Sequence, residues 1–356
     1  MNTLTESSAA SHRILSAYKA KVLWRLGILL TLTILCAAAL VWDMITGPSA
    51  LTAGQVWAGL MQPDTISTAQ HTIIWNVRLP YALMALLVGA ALSLAGAEMQ
   101  AILNNPLASP FTLGVSSAAS FGAALAIVLG ISLPFVPTEW MVSLNAFIFA
   151  LGSVLLLQLM TRLRSASVET MVLLGIALVF VFNALVAFVQ FASSQAALQQ
   201  LVFWSMGSLS RANWQNVSLL ALVLALVIPF SLVSAEKLTA LRLGEDRARS
   251  FGINVNRLRF FALLRVSILA ATSVAFVGTI GFIGLVGPHI ARLLLGEDHR
   301  FLLPGSLLTG ALIMSLASAT SKILVPGVLL PVGIVTSIVG VPVFLLLIFC
   351  KPGRQS

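Results

Sequence analysis

The chain has 356 residues, of which 59% are hydrophobic and only 9% charged, with a formal net charge of +9. A soluble domain keeps about a quarter of its residues charged to hydrate its surface. This composition, with a mean hydropathy of +1.02, excludes a water-soluble globule and places most of the chain against lipid or other apolar helices. The basic balance does not mark a nucleic-acid binder, because the cations fall between long apolar runs.

Inside hydrocarbon only helices and closed barrels satisfy every backbone group, and a spanning helix needs about 20 apolar residues. The runs here are far longer than the alternating strands of about 10 residues that build a barrel. The chain therefore reads as an all-α polytopic membrane protein with about ten transmembrane helices. Their expected bounds are 24–45, 81–103, 111–132, 139–161, 169–192, 215–234, 259–280, 281–294, 303–323 and 331–350. The eighth is short and glycine-rich, a broken or half helix. Residues 1–23 form a polar, basic lead, 24–350 a single transmembrane domain, and 351–356 a tail. The run from Gly27 to Trp42 imitates a signal peptide, but no small residue stands where a lipidated Cys36 would need one. The chain also stays membranous afterwards, so the run reads as an uncleaved anchor. Cys36 and Cys350 show neither metal-ligand spacing nor a disulfide framework and read as small hydrophobes.

Lysine and arginine set the expected orientation. With the N-terminus in the cytoplasm, the inner segments receive Arg13, Lys19, Lys21, Arg25, Arg162, Arg164, Lys237, Arg242, Arg247, Arg249, Arg257, Arg259, Arg292, Arg300, Lys351 and Arg354. The outer segments receive only Arg78, Arg211 and Lys322, and Arg265 falls inside a span. Both termini are expected inside, in an inner (cytoplasmic) membrane. The long hydrophilic stretches are 46–80 and 235–258, and 193–213, with Gln199 and Trp204 and with Trp214 next to it, is expected to lie partly in the interface. G-x-x-x-x-G-K-[ST] does not occur, so no P-loop holds ATP phosphates here.

Three stretches carry information beyond hydropathy. In 235–258, Leu238, Leu241, Leu243, Ala248 and Phe251 alternate with charge at roughly helical spacing, and Gly244 and Gly252 punctuate two expected short helices. This is either a solvated loop packed on its own protein or a docking helix pair for a cytoplasmic subunit. In 278–292, glycines at 278, 281, 284 and 287 recur every third residue and lead into Pro288 and His289. Close helix packing and a moving, broken element both account for them. The third stretch runs from Arg78 through Gly89, Gly96, Glu98 and Gln100 to Asn104, Asn105 and Pro106. Glu98, read as the only carboxylate inside a span, needs a polar cavity or a partner such as Arg265. Asn104, Asn105 and Pro106 read as an inner turn.

With these residues in view, the chain resembles the FecCD-type permeases from about Leu51 onward. The blocks are Arg78-Leu-Pro with Gly89-x6-Gly96-x3-Gln100 and Asn105-Pro-Leu-Ala-Ser-Pro; Trp204-x2-Gly-Ser-Leu209; Leu243-Gly-Glu-x-Arg-Ala-Arg-x-x-Gly252; and Gly281-Phe-Ile-Gly-Leu-Val-Gly-Pro-His-Ile-x-Arg292 with Gly296, His299 and Arg300. Leu330-Pro-Val-Gly-Ile-Val-Thr-x3-Gly-x-Pro-Val-Phe344 closes the match. The resemblance implies a type II ABC importer permease that moves a ferric siderophore, haem or cobalamin, with the ferric siderophore first. It implies a second permease, as homodimer or heterodimer, a periplasmic substrate-binding protein and cytoplasmic ABC ATPase subunits that carry the ATP. No cofactor or metal is expected in this chain.

By the same resemblance, Gly244, Glu245, Arg247, Ala248, Arg249 and Gly252 match the family's coupling helices within 236–256. Arg78 matches an arginine that docks the binding protein, and Lys322 stands where a second is usual. Gln100, Asn105, Pro106, Gly281, Gly284, Gly287, Pro288 and His289 are the pathway and gate candidates. Three positions depart from the pattern: Tyr81 replaces a second arginine, Ser318 an aspartate, and Leu329 a glutamate. A self-contained secondary transporter would need more intramembrane carboxylates. A membrane enzyme would need clustered ligands, whereas His12, His71, His289 and His299 are scattered.

Overall fold

The computed structural model describes residues 2–47, 51–163, 168–325 and 327–349, with side chains over 15–47, 51–64, 66–161, 169–325, 327–343 and 345. Cys350 and the 351–356 tail lie outside the described residues. The elements are α1 (Asn2–Ile45), α2 (Ala53–Met61), α3 (Thr68–His71), α4 (Leu79–Ile102), α5 (Val115–Leu129), α6 (Thr138–Leu163), α7 (Val168–Phe191), α8 (Gln195–Ser205), α9 (Trp214–Leu241), α10 (Glu245–Ser250), α11 (Val255–Val277), α12 (Ile283–Leu295), α13 (His299–Ile323) and α14 (Val332–Phe349). No strand occurs among the described residues.

Among the described residues, seven helices are long and apolar enough to cross a membrane, and three shorter apolar ones, α5, α12 and α14, complete a set that matches the ten expected runs. The half helix expected at 281–294 is α12, 13 residues long. Its start is set by Phe282, whose backbone is left-handed at φ 68°.

Three expectations need correction. The second span begins at Thr68, not at 81, because helix continues outward through a π-helical stretch at Thr72–Arg78. Pro80 has no N–H with which to continue the α ladder, and the wider turn precedes it directly. Polar Thr72, Asn76 and Arg78 disguised this extension as loop. The 46–80 stretch is therefore largely helical, and Ser67 with Gln70 caps α3 by a reciprocal box. The Trp204 ring, expected among the indoles that settle against headgroups, is buried within the protein at the end of α8, with the Arg211 guanidinium 5.7 Å from its ring centre. The third correction lies in 235–258. α9 runs on to Leu241 and α11 starts at Val255, so one short helix, α10, stands where two were expected.

The core centres on α4, whose neighbours are α9, α11, α12 and α13. Small residues make this possible in a solvent where apolar surface alone does not drive helices together. A side chain at Gly96 would run into the Gly284 carbonyl, one at Gly89 into the Gly310 carbonyl, and one at Gly287 into Ser93. Cys36 behaves as the small hydrophobe expected of it, its thiol 3.3 Å from the Leu308 carbonyl.

Candidate coupling site and pathway

α10 is short and has one buried residue, Ala248. Gly244 opens it at φ 112°, and Gly252 follows it at φ 77°. Asp246, Arg247 and Arg249 face outward, and so do Leu243 and Phe251, at 55% and 64% exposure. Of the apolar stripe read in this segment, Leu238, Leu241 and Ala248 are covered by the chain itself. Leu243 and Phe251 are not.

Glu245 ties α10 inward. Its carboxylate accepts from Arg249 at 2.7 Å and from Arg259 of α11 at 3.0 Å. Arg259 also donates from Nε to the Ile102 carbonyl at the end of α4, at 3.3 Å. One guanidinium thus joins α10, α11 and α4. Two residues back along α4, at Gln100, a second set of bonds reaches α12. Pro288 lacks the N–H that would bond the Gly284 carbonyl, and Gln100 Nε2 approaches that carbonyl at 3.5 Å. Gln100 Oε1 accepts from Arg292 at 2.9 Å. Arg292 in turn meets Glu297, which also accepts from Arg242 at the end of α9. The Arg300 guanidinium beside neighbouring Asp298 holds its carboxyl below the usual carboxylate range, so that loop stays anionic. Side-chain bonds thus tie both α10, through Arg259, and the half helix, through Gln100, to the same end of α4. Sequence reading named Glu245, Gln100 and Pro288. It missed that Arg242, Arg259, Arg292 and Glu297 join them, since no spacing relates residues so far apart.

The gate candidates divide. Gly281 faces a cavity of about 490 Å³, lined by Ser116, Ser205, Thr279 and Ser337 among small and apolar residues. Gly284, Gly287 and Pro288 are instead buried, with Gly284 and Gly287 packed against α4 and Pro288 inside α12. His289 is half-buried in α12. Asn105 and Pro106 lie exposed in the turn after α4, where Asn105 Oδ1 accepts from the Leu107 amide at 2.9 Å, as the turn reading expects.

The two docking candidates are turned into the chain. Arg78 is 5% exposed and donates from Nη1 to the Met44 and Ile45 carbonyls at 2.8 and 3.0 Å, closing the C-terminal end of α1. Lys322 forms an ion pair at 2.8 Å with Asp43, which is fully buried. In this conformation neither presents its charge outward. The sequence reading also overlooked Asp43 as an intramembrane carboxylate. Ser318 donates to it at 2.8 Å, and the Lys322 ammonium lies 4.3 Å from the centre of the Tyr81 ring. Two of the three departures, Tyr81 and Ser318, thus meet in one cluster, where Asp43 of α1 supplies the carboxylate absent from position 318. Glu98 pairs with Arg265 of α11, whose Nε lies 3.0 Å from both carboxylate oxygens. The pair is buried between α4 and α11.

Comparison with known proteins accords with this architecture. The model of the FecCD transport family matches residues 32–350. Among relatives, the vitamin B12 import system permease protein BtuC of Vibrio vulnificus is 34% identical over 90% of this chain and 93% of its own. The hemin transport system permease protein HmuU of Yersinia pestis is 38% identical over 80% and 85%. A solved inward-facing structure assigned to a metal-chelate type ABC transporter superposes with a TM-score of 0.81 at 32% identity, covering 91% of this chain and 99% of that one. Helix count, the glycine-built core, the isolated α10 and these matches lead to one conclusion: the chain belongs to the FecCD transport family, as a multi-pass permease of the ABC importer type.

Proposed function

We propose that this permease moves a bulky metal chelate, a ferric siderophore first among them, driven by ATP that a separate cytoplasmic subunit hydrolyses. The observation that carries the reading is α10, a short cation-bearing helix flanked by exposed Leu243 and Phe251 and anchored through Ala248 and Glu245. Such a helix suits the cleft of an ATPase subunit. Closure of that subunit pushes α10, and Arg259 passes the displacement to α4 and onward through Gln100 to α12. Both termini lie in the cytoplasm, a periplasmic binding protein delivers cargo to the opposite face, and a second permease completes the pathway. Arg78 and Lys322 support the outer face from beneath by fixing α1 against α4 and α13.

Haem and cobalamin are the second reading, favoured by the relatives named for hemin and vitamin B12. All three cargoes enclose their metal, and the uncharged lining of the cavity beside Gly281 suits a capped ion. Uptake of labelled ferric siderophores, haem and cobalamin by a deletion strain carrying this gene separates them. Siderophore uptake alone supports the first reading, and haem or cobalamin uptake replaces it.

The coupling route makes its own prediction. Glu245→Ala frees Arg259, and transport is expected to fall about tenfold, the scale of an ordinary coupling energy, while ATP hydrolysis by the assembled complex persists. Parallel assays of uptake and hydrolysis check it. Unchanged uptake at unchanged expression would remove α10 from the route.

A further inference from the structure

At the end of the molecule that carries α10, α1, α9 and the loop between α12 and α13 enclose an open cavity of about 740 Å³. Four cations line it: Lys21 and Arg25 from α1, Arg242 from the end of α9, and Arg300 from the start of α13. Three carboxylates share the wall, Glu236, Glu297 and Asp298. They do not neutralise it. Asp298 is divided between Arg25 at 3.3 Å and Arg300 at 2.8 Å, and Glu297 between Arg242 and Arg292. Glu236 is 80% exposed and only reaches 4.0 Å from Arg300, too far and too wet to count for much. Counting Arg292 behind the wall, five cations meet three carboxylates. Lys21 forms no ion pair among the described residues.

The carboxylates hold Arg25, Arg242 and Arg300 around one volume, which is left with an excess of cations and the Lys21 ammonium for an anion with several oxygens. Exposed aromatic residues fix the depth. Tyr18 and Trp24, 51% and 69% exposed on α1, lie within a turn or so of Lys21 and Arg25, and such rings settle at the headgroup level of a bilayer. Leu23 and Leu26 extend an apolar surface beside them.

We infer that this cavity binds a phosphate-bearing anion, the headgroup of an acidic phospholipid, held by Lys21, Arg25, Arg242 and Arg300. Basic pockets between transmembrane helices at headgroup depth have the chemistry for such lipids. A lipid there would bridge α1 to the α9 and α13 ends that flank the coupling route.

The test uses the full-length permease in neutral detergent, titrated with phosphatidylglycerol, phosphatidylcholine or inorganic phosphate, with bound molecules counted by native mass spectrometry. Phosphatidylglycerol is expected to bind at least about tenfold more tightly than phosphatidylcholine. Lys21→Glu, a change of two charges at about fivefold each, is expected to erase that preference. Lys19→Glu, on the same helix but outside the cavity, is expected to keep it. Both variants leave every ion pair of the structure in place. Millimolar inorganic phosphate that displaces the lipid and binds in a Lys21-dependent way would extend the site to soluble phosphates, and its failure to do so assigns the site to lipid; either result upholds an anion site. Equal binding of the two lipids, or equal losses in Lys19→Glu and Lys21→Glu, overturns it.

Discussion

Replacing Glu98 with alanine is expected to destabilise the protein by about 3–5 kcal/mol, because it leaves the Arg265 guanidinium buried without its counter-charge. Neither side chain has access to solvent that could compensate, since Glu98 is fully buried and the Arg265 side chain is 10% exposed. Replacing both at once, Glu98→Leu with Arg265→Leu, is expected to cost much less, because the expense of an unpaired ion disappears with the ion. The thermal midpoint of the protein in detergent reads both. A double variant as damaged as Glu98→Ala would show that the two residues matter for something other than each other. The pair holds α4 to α11, and α11 carries Arg259. Its loss should therefore also loosen the route from α10.

The second large effect is steric. Gly96→Ala is expected to cost about 3 kcal/mol or more, at the upper end for overpacking, because the new methyl group would occupy the space of the Gly284 carbonyl. Backbone cannot rotate out of the way as a side chain does, so α12 must move off α4 and Gln100 loses its place over Gly284. Gly281→Ala is the matched control. Nothing stands within 4 Å of a side chain there, and folding should be unaffected. Expression and thermal midpoint of the two variants distinguish packing glycines from the one that faces the cavity. Similar values for both would contradict that division.

The spans were legible because hydrophobic length is a property of contiguous residues. The glycine spacing through 278–287 also announced close packing, though it took the structure to show that Gly284 and Gly287 face α4 while Gly281 faces open space. Clusters assembled from distant residues were not legible. Asp43 and Lys322 are separated by 279 positions, and no pattern in either segment foretells that one neutralises the other. The same holds for Arg259 reaching Ile102. Charge position along the chain placed Arg78 and Lys322 at the outer ends of spans, but charge position does not say whether a long side chain turns out to water or back to a helix terminus. Arg78 turns back because the α1 carbonyls at Met44 and Ile45 need donors. Helix extension past the apolar run was hidden for a related reason. Thr72 and Asn76 are polar enough to end a hydropathy window without ending a helix.

The proposed role of α10, as the place where an external motor acts, is tested most directly by reconstitution. The purified permease is reconstituted in liposomes with its ATPase subunits and loaded binding protein, and accumulation of labelled chelate is followed with and without those subunits. Accumulation that requires the ATPase and ATP, and that falls in Glu245→Ala while hydrolysis continues, is the predicted result. Equal accumulation by the permease alone would contradict it.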